Sequence, residues 1–292
     1  MKQYILLLCL AVLSSCRPDE KELPTVSFQQ QLVINSRIGP DERLYVAISR
    51  TLPPDQLGDN PGSEAWFEKV MVDTLQVVLE YGQTKVTLIP EGKGIYAADI
   101  SSMLHRDYGH IMVYNSHGKL LLESYTRSQE EPKVTLWEPK ATVRATDTLC
   151  SIKLRIEETS KEDCWYLVGF SRWSEDLALI QQRKMTLTRL LSDRSLRDQR
   201  AFLVSSEQMQ NGVLELEKNL PWLNANDTLL VNVSRLDKDY YRYLKEQLKA
   251  GNWLNQLMGE SINLKGNVLG GLGYFTLHRS RNKFYLMKDY IQ

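Results

Sequence analysis

The chain has 292 residues, with 36 Lys plus Arg balanced by 36 Asp plus Glu, a formal net charge of zero and 42% apolar residues. A neutral chain with no basic block lacks the phosphate-neutralising charge that nucleic-acid binding requires, which argues against DNA or RNA as a partner. Its length allows two domains of ordinary size, and its 4 cysteines are too few for a disulfide scaffold.

The chain opens MKQYILLLCLAVLSSCRPDEKE, in which Lys2 precedes an apolar run from Tyr4 to Leu13. This is the layout of a secretory signal peptide over residues 1–15, and the run is too short to span a bilayer. Leu13-Ser14-Ser15-Cys16 resembles the lipobox of bacterial lipoproteins. The resemblance implies cleavage before Cys16 and acylation there, with palmitate among the chains. Each buried methylene contributes about 0.8 kcal/mol and two chains anchor stably, so Cys16 and a flexible tether over 16–28 would hold the protein to a membrane. The run Asp19-Glu20-Lys21-Glu22 resembles the acidic signal that Bacteroidota use to export lipoproteins to the cell surface; a plain solvated tether is the alternative.

From residue 30 the dominant period is two. QQLVINSRI, RLYVAISRT, LQVVLEYG, KVTLIPE and HIMVYNSHGKLLLESY alternate apolar and polar residues between Gly, Pro and Asn turns. Short alternating strands with such punctuation predict antiparallel sandwiches. Leu52 to Glu64, polar and rich in Pro and Gly, predicts a long exposed loop. The His105, His110 and His117 trio, with Asp107, raises the question of a metal. His110 opens a strand and His117 sits in the turn NSHGK, roughly 20 Å away at about 3.3 Å per residue, so no metal site is expected.

QEEPKVTLWEPK, residues 129 to 140, sets two prolines around one short strand and marks the domain junction. Beyond it, strands are expected at TLCSIKLRIEE, CWYLVGFSRW, NGVLELEK and DTLLVNVSRL. If the first two form a hairpin turning near Thr159 to Lys161, Cys164 faces Glu157 and pairing with Cys150 is awkward. A disulfide and two separate thiols both stay open. Ser174 to Arg200 is mixed and charged, with a short helix from Ser174 and a strand at Met185 to Leu191 as its reading.

LDKDYYRYLKEQLKAG reads as a helix over about 237–250. Asp237 suits the N-cap, Leu236 with Tyr241 the hydrophobic staple, and Gly251 the left-handed stop. GNVLGGLGYF follows, with four glycines between 266 and 273. Gly266 and Gly271 have Walker spacing, but Leu272 and Gly273 stand where Lys and Ser or Thr are required. No βαβ unit is present to make a dinucleotide site. The glycines therefore predict a turn or bulge leading into a last strand pair, YFTLHRS and KFYLMKDY. No G-x-S-x-G elbow and no paired metal motif occurs, so no catalytic, cofactor or metal residue is assigned. Trp66, Trp222 and Trp253 lie beside loop-like segments and are candidate ligand contacts, with packing at the rim of a core as the alternative for each. Trp165 reads as structural.

The helix and the glycine segment together resemble a Bacteroidota lipoprotein family catalogued as domain of unknown function 4249. Tyr240, Tyr241, Tyr243 and Leu244 match its Tyr-rich helix, and Asn267, Gly271, Leu272, Gly273 and Phe275 match the segment after it. LVINSRI, Ser49 to Thr51 and GKGIYAADI at 92 to 100 also fit, whereas Lys265-Gly266 and residues 174 to 200 depart from the pattern. The resemblance implies an accessory role beside a TonB-dependent outer-membrane transporter in nutrient capture, and carries over no binding or catalytic residue. The expected protein is all-β, with two immunoglobulin-like antiparallel β-sandwich domains, 29–135 and 136–292, the second carrying one packed helix. It is expected to be a non-enzymatic, lipid-anchored binding or accessory protein of the outer membrane. A structural or adhesive surface module and an envelope hydrolase are the alternatives.

Overall fold

Period-two alternation becomes sheet wherever one face can be buried. In β1 (Leu32–Ile38) the inward positions are Ile34, Ser36 and Ile38, and the apolar ones join the core. The computed structural model describes residues 28–53, 56, 64–103, 108–143, 148–159, 162–173, 201–250 and 264–291. The chain divides into two compact units, Met1–Gln30 and Gln31–Gln292, and every element named here lies in the second.

The first sandwich sets β1, β2 (Arg43–Arg50), β6 (Ile95–Asp99) and β5 (Ile89–Gly92) in one sheet. Opposite it lie β8 (Leu120–Arg127), β7 (Tyr108–Tyr114), β3 (Gln76–Tyr81) and β4 (Thr84–Thr87). The second sandwich repeats this plan. β9 (Lys133–Leu136) and β10 (Lys140–Val143) share one side of β11 (Thr148–Glu157), and β14 (Val213–Leu220) takes the other. Facing them, β13 (Ala201–Ser205), β12 (Trp165–Trp173), β15 (Thr228–Leu236) and β18 (Ser280–Leu286) form a sheet in that order. Both strand orders are those of the immunoglobulin-like Greek key. The protein is mainly β and built of antiparallel sandwiches, with one helix packed on the second.

Two readings change. KVTLIPE is two strands rather than one: β4 pairs β3, β5 pairs β6, and buried Leu88 marks the switch between sheets. β11 and β12 do not form a hairpin. Ile152, Leu154 and Ile156 on one and Tyr166, Val168 and Phe170 on the other are all buried, in a single core between two sheets. Strands that both need an apolar face covered can achieve it across a sandwich as well as side by side. Cys150 and Cys164 are separate buried thiols. A short helix, Glu64–Val70, begins where the expected loop ends, and the whole of 174–200, with the short helix from Ser174 and the strand at Met185 to Leu191 expected there, lies outside the described residues.

The helix Lys238–Ala250 starts as its sequence requires, with Tyr240 N–H donating to Asp237 Oδ1 at 2.8 Å. Its Tyr240, Tyr243 and Leu244 pack with Leu167, Leu236 and Tyr274. The glycine segment then leaves the second sandwich altogether. β16 (Val268–Leu269) pairs antiparallel with β8, and β17 (Leu272–Tyr274) pairs parallel with β1. These strands close the outer edges of both sheets of the first sandwich, and Phe275 and Leu277 enter its core. YFTLHRS and KFYLMKDY are therefore not a strand pair: β17 serves one sandwich and β18 the other.

The glycines make this crossing sterically feasible. Gly273 has φ +97°, and a Cβ there would collide with the carbonyl oxygen of Ile34. Asn267 locks the arch: its Nδ2 donates to the carbonyls of Phe275 (2.8 Å) and Tyr125 (3.1 Å), and its Oδ1 accepts from Phe275 N–H at 2.8 Å. Ser36 Oγ donates to the Thr276 carbonyl at 3.0 Å and accepts from Thr276 N–H at 2.8 Å. The two sandwiches also meet directly, where Tyr45, Ala47, Ile95 and Ala97 pack with Leu230 and Phe284.

Candidate functional site

The meeting of the sandwiches leaves a groove beside it. One cleft of about 440 Å³ runs between the β1–β2 turn (Ile38, Gly39, Pro40, Glu42) and the start of β18. A second, of about 410 Å³, continues along Pro132 to Thr135 and Glu157. Glu131 and Arg281 line both clefts and bridge them with an ion pair at 3.2 Å. Both side chains are well exposed, and pairs of that kind contribute only about 0–1 kcal/mol, so a ligand could displace this one at little cost.

The pleat spaces the cations here, since Arg279 just before β18 and Arg281 and Lys283 within it recur every second residue. Arg279 Nη2 donates to the carbonyls of Ile100 and Met103, both at 3.2 Å, tying the strand to the first sandwich. Lys283 Nζ pairs with Glu138 at 3.0 Å. Among the described residues no strand lies beyond β18, so its outer edge faces the groove. Across the groove the turn is held by Gly39 N–H to the Arg43 carbonyl at 2.8 Å, with Glu42 at φ +62°. Such a surface offers guanidinium and ammonium donors beside carboxylate acceptors, which suits a polar solute.

Thiol chemistry finds no support. Burial first, then the neighbouring Glu158, push Cys164 up to about 11, although Arg235 lies 3.0 Å from its sulfur. Burial raises Cys150 also. Thiols that hold their protons at neutral pH are poor nucleophiles.

Trp66 stands on the helix Glu64–Val70, edge-on to Phe67 at 5.3 Å, partly buried against the inter-sandwich cluster. Trp222 is partly buried against the second core. Both therefore pack at the rim of a core, while Cys16 and Trp253 lie outside the described residues. His110 is in β7, stacked on Tyr125 at 4.0 Å, with Nε2 2.8 Å from Glu123 and Nδ1 3.5 Å from Glu80. His117 is in the turn after β7, and His105 and Asp107 are outside the described residues. Among the described residues no three His, Cys, Asp or Glu side chains could hold a metal ion. Sequence reading missed the groove because Glu131 and Arg281 are 150 residues apart. It also missed Trp137, which the prolines on either side of its strand did signal as irregular.

Comparison with curated proteins finds no match. Among solved structures, the FN1–FN3 domains of chicken CNTN1 align at 13% identity with a TM-score of 0.24, over 70% of this chain. The alignment spans 60% of that chain's length. A cytokine receptor complex aligns at 10% identity and a TM-score of 0.24, over 71% of this chain and 92% of that one. Neither likeness bears on function. The family model described as domain of unknown function (DUF4249) matches residues 17–283, most of the chain and both sandwiches, and the protein belongs to that family.

Proposed function

We propose that this protein is a lipoprotein of the bacterial outer membrane, of a Bacteroidota type, held by lipid on Cys16. In this reading it acts without catalysis, as a binding or accessory component beside a TonB-dependent nutrient transporter. The leader and Leu13-Ser14-Ser15-Cys16 support the anchor, and the family match begins at the next residue, Arg17. The observation that carries the binding role is the charged groove between the sandwiches, with its displaceable Glu131–Arg281 pair. Two sandwiches joined by a shared apolar cluster, with a polar groove beside it, are suited to holding a solute near a membrane.

The test is fractionation of cells expressing the native chain and Cys16→Ala, with radiolabelled palmitate and affinity purification from detergent. Expected are label and membrane association for the native chain only, and recovery of a TonB-dependent transporter with it. Membrane association that persists in Cys16→Ala would sink the anchor. Purification of the native chain without any transporter would sink the accessory role.

A further inference from the structure

We propose that a cleft beneath Trp137, distinct from the inter-sandwich groove, is a saccharide-binding site. The reading goes beyond the membrane role and does not depend on it. β9 and β10 run end to end along β11, with Leu136 opposite Leu154 and Lys140 opposite Ser151. Three residues, Trp137 to Pro139, therefore span what Ile152 and Lys153 span on the partner strand. This is a β-bulge, a device that re-aims a side chain. Pro139 has no N–H for the ladder. Trp137 keeps its own bond, N–H to the Lys153 carbonyl at 3.1 Å, yet its side chain is turned outward and the residue is 38% exposed.

The bulge is fixed from behind. Tyr285 hydroxyl donates to the Trp137 carbonyl at 2.9 Å, and Glu138 is held by Lys283 and by the Tyr290 hydroxyl. The backbone that carries the indole is thus held in place, which lowers part of the ordering cost of binding. Lys153 Nζ lies 5.1 Å from the ring centroid, so a flexible side chain reaches the π-face. Among the described residues no aromatic ring covers it.

The cleft holds about 290 Å³, lined by Trp137, Glu138, Lys140, Ser151, Lys153 and Glu217. A pyranose offers one C–H face and a rim of hydroxyls that both donate and accept. The indole suits the face. Two ammonium donors, two carboxylate acceptors and one hydroxyl suit the rim. No apolar wall stands opposite the indole, which disfavours a lipid chain or an apolar peptide side chain. Lys153 is paired with Glu215 at 2.8 Å, Glu138 with Lys283 at 3.0 Å, and Lys140 shares the lining with Glu217, a balance of charge that favours a neutral sugar over a polyanion.

The test is calorimetric titration of the chain from Arg17 onward with cellotetraose, maltotetraose, xylotetraose and chitotetraose. Binding of at least one is expected, weakened at least about tenfold by Trp137→Ala. Trp137→Phe, which restores an aromatic plane, should recover part of the loss, and Glu217→Gln should weaken binding a few-fold through the rim. Should Trp137→Ala fail to fold, Glu217→Gln and Lys140→Ala decide the question from positions outside the bulge. Absence of binding to all four sugars overturns the proposal, as does binding unchanged in these variants.

Discussion

Gly273→Ala tests whether the glycine arch depends on close backbone approach or merely on a permissive turn. At φ +97° an L side chain is strained by about 1–2 kcal/mol before any neighbour is considered. Here the neighbour is backbone: the new Cβ would strike the Ile34 carbonyl oxygen and lie 3.0 Å from its carbon and 3.1 Å from the Ile34 nitrogen. β17 must then move off β1 along the pairs Val33–Leu272, Ile34–Gly273 and Asn35–Tyr274. Losing two ladder bonds at about 0.5–1.5 kcal/mol each adds about 2 kcal/mol, for a total of about 3–4 kcal/mol. Gly118→Ala is the control, because its φ is +76° but nothing lies within 4 Å of an added Cβ. It should cost only the conformational part, about 1–2 kcal/mol. In urea and thermal melts of the chain from Arg17 onward, the gap between the variants should be about 2 kcal/mol, or about 4–8 °C at this size. Hydrogen exchange should place the extra loss at the β1 and β17 amides. Equal losses for the two variants would refute the close-approach argument.

His278 is fully buried, and desolvation first, then the charge of Arg37, hold its pKa down at about 3. Its folded value is depressed, so its stability contribution is intact above the ordinary 6.5 and is lost at about 1.4 kcal/mol per pH unit below it. The variant His278→Asn should flatten the acid limb of a stability–pH curve, and an unchanged slope would remove His278 from the account. Asp237 is shifted the other way, raised chiefly by burial while its carboxylate caps the helix and accepts from Tyr274. Its favourable contribution is present below 3.8 and fades as pH rises through the raised folded value. Asp237→Asn keeps the cap and cannot ionise, so its stability relative to the native chain should improve with rising pH; a constant difference would contradict this. Finally, Cys150 and Cys164 should resist a thiol reagent in the folded chain and react together on unfolding in urea, as followed by mass spectrometry. Rapid labelling of either in the native state would show that its burial is incomplete.

How far the sequence discloses this molecule depends on whether the cause is local. The strands are legible because alternation is a property of neighbours, as in LVINSRI and RLYVAISR. The helix is legible because Asp237 and the spacing of Tyr240, Tyr243 and Leu244 are local too. Sheet membership is not. KVTLIPE keeps its alternation through Leu88 while changing sheets, and no residue in it records that change. β11 and β12 are adjacent in the chain and look like a hairpin, yet their apolar rows meet across a core. The helix Glu64–Val70 was hidden by its shortness and by the Pro- and Gly-rich residues before it. The candidate sites share this difficulty. The groove joins a linker carboxylate to a cation near the end of the chain, and Trp137 is exposed by a bulge that only the register of β11 reveals.

The closure of the first sandwich by β16 and β17 has a consequence for synthesis. Ser36 and Thr276, which grip one another in the finished protein, are 240 residues apart. A ribosome or export channel delivering the chain N-terminus first emits β1 to β8 long before the segment that seals their edges. Until then two strand edges stand open to pairing with other chains, and long-range closure of this kind is slow. The domain that emerges first is thus completed only when nearly the whole chain has been made. A premature stop after residue 263 would take Phe275 and Leu277 from the N-terminal core as well as β18 from the second sandwich, so C-terminal truncation should misfold the N-terminal sandwich too, although its own strands lie at the other end of the gene.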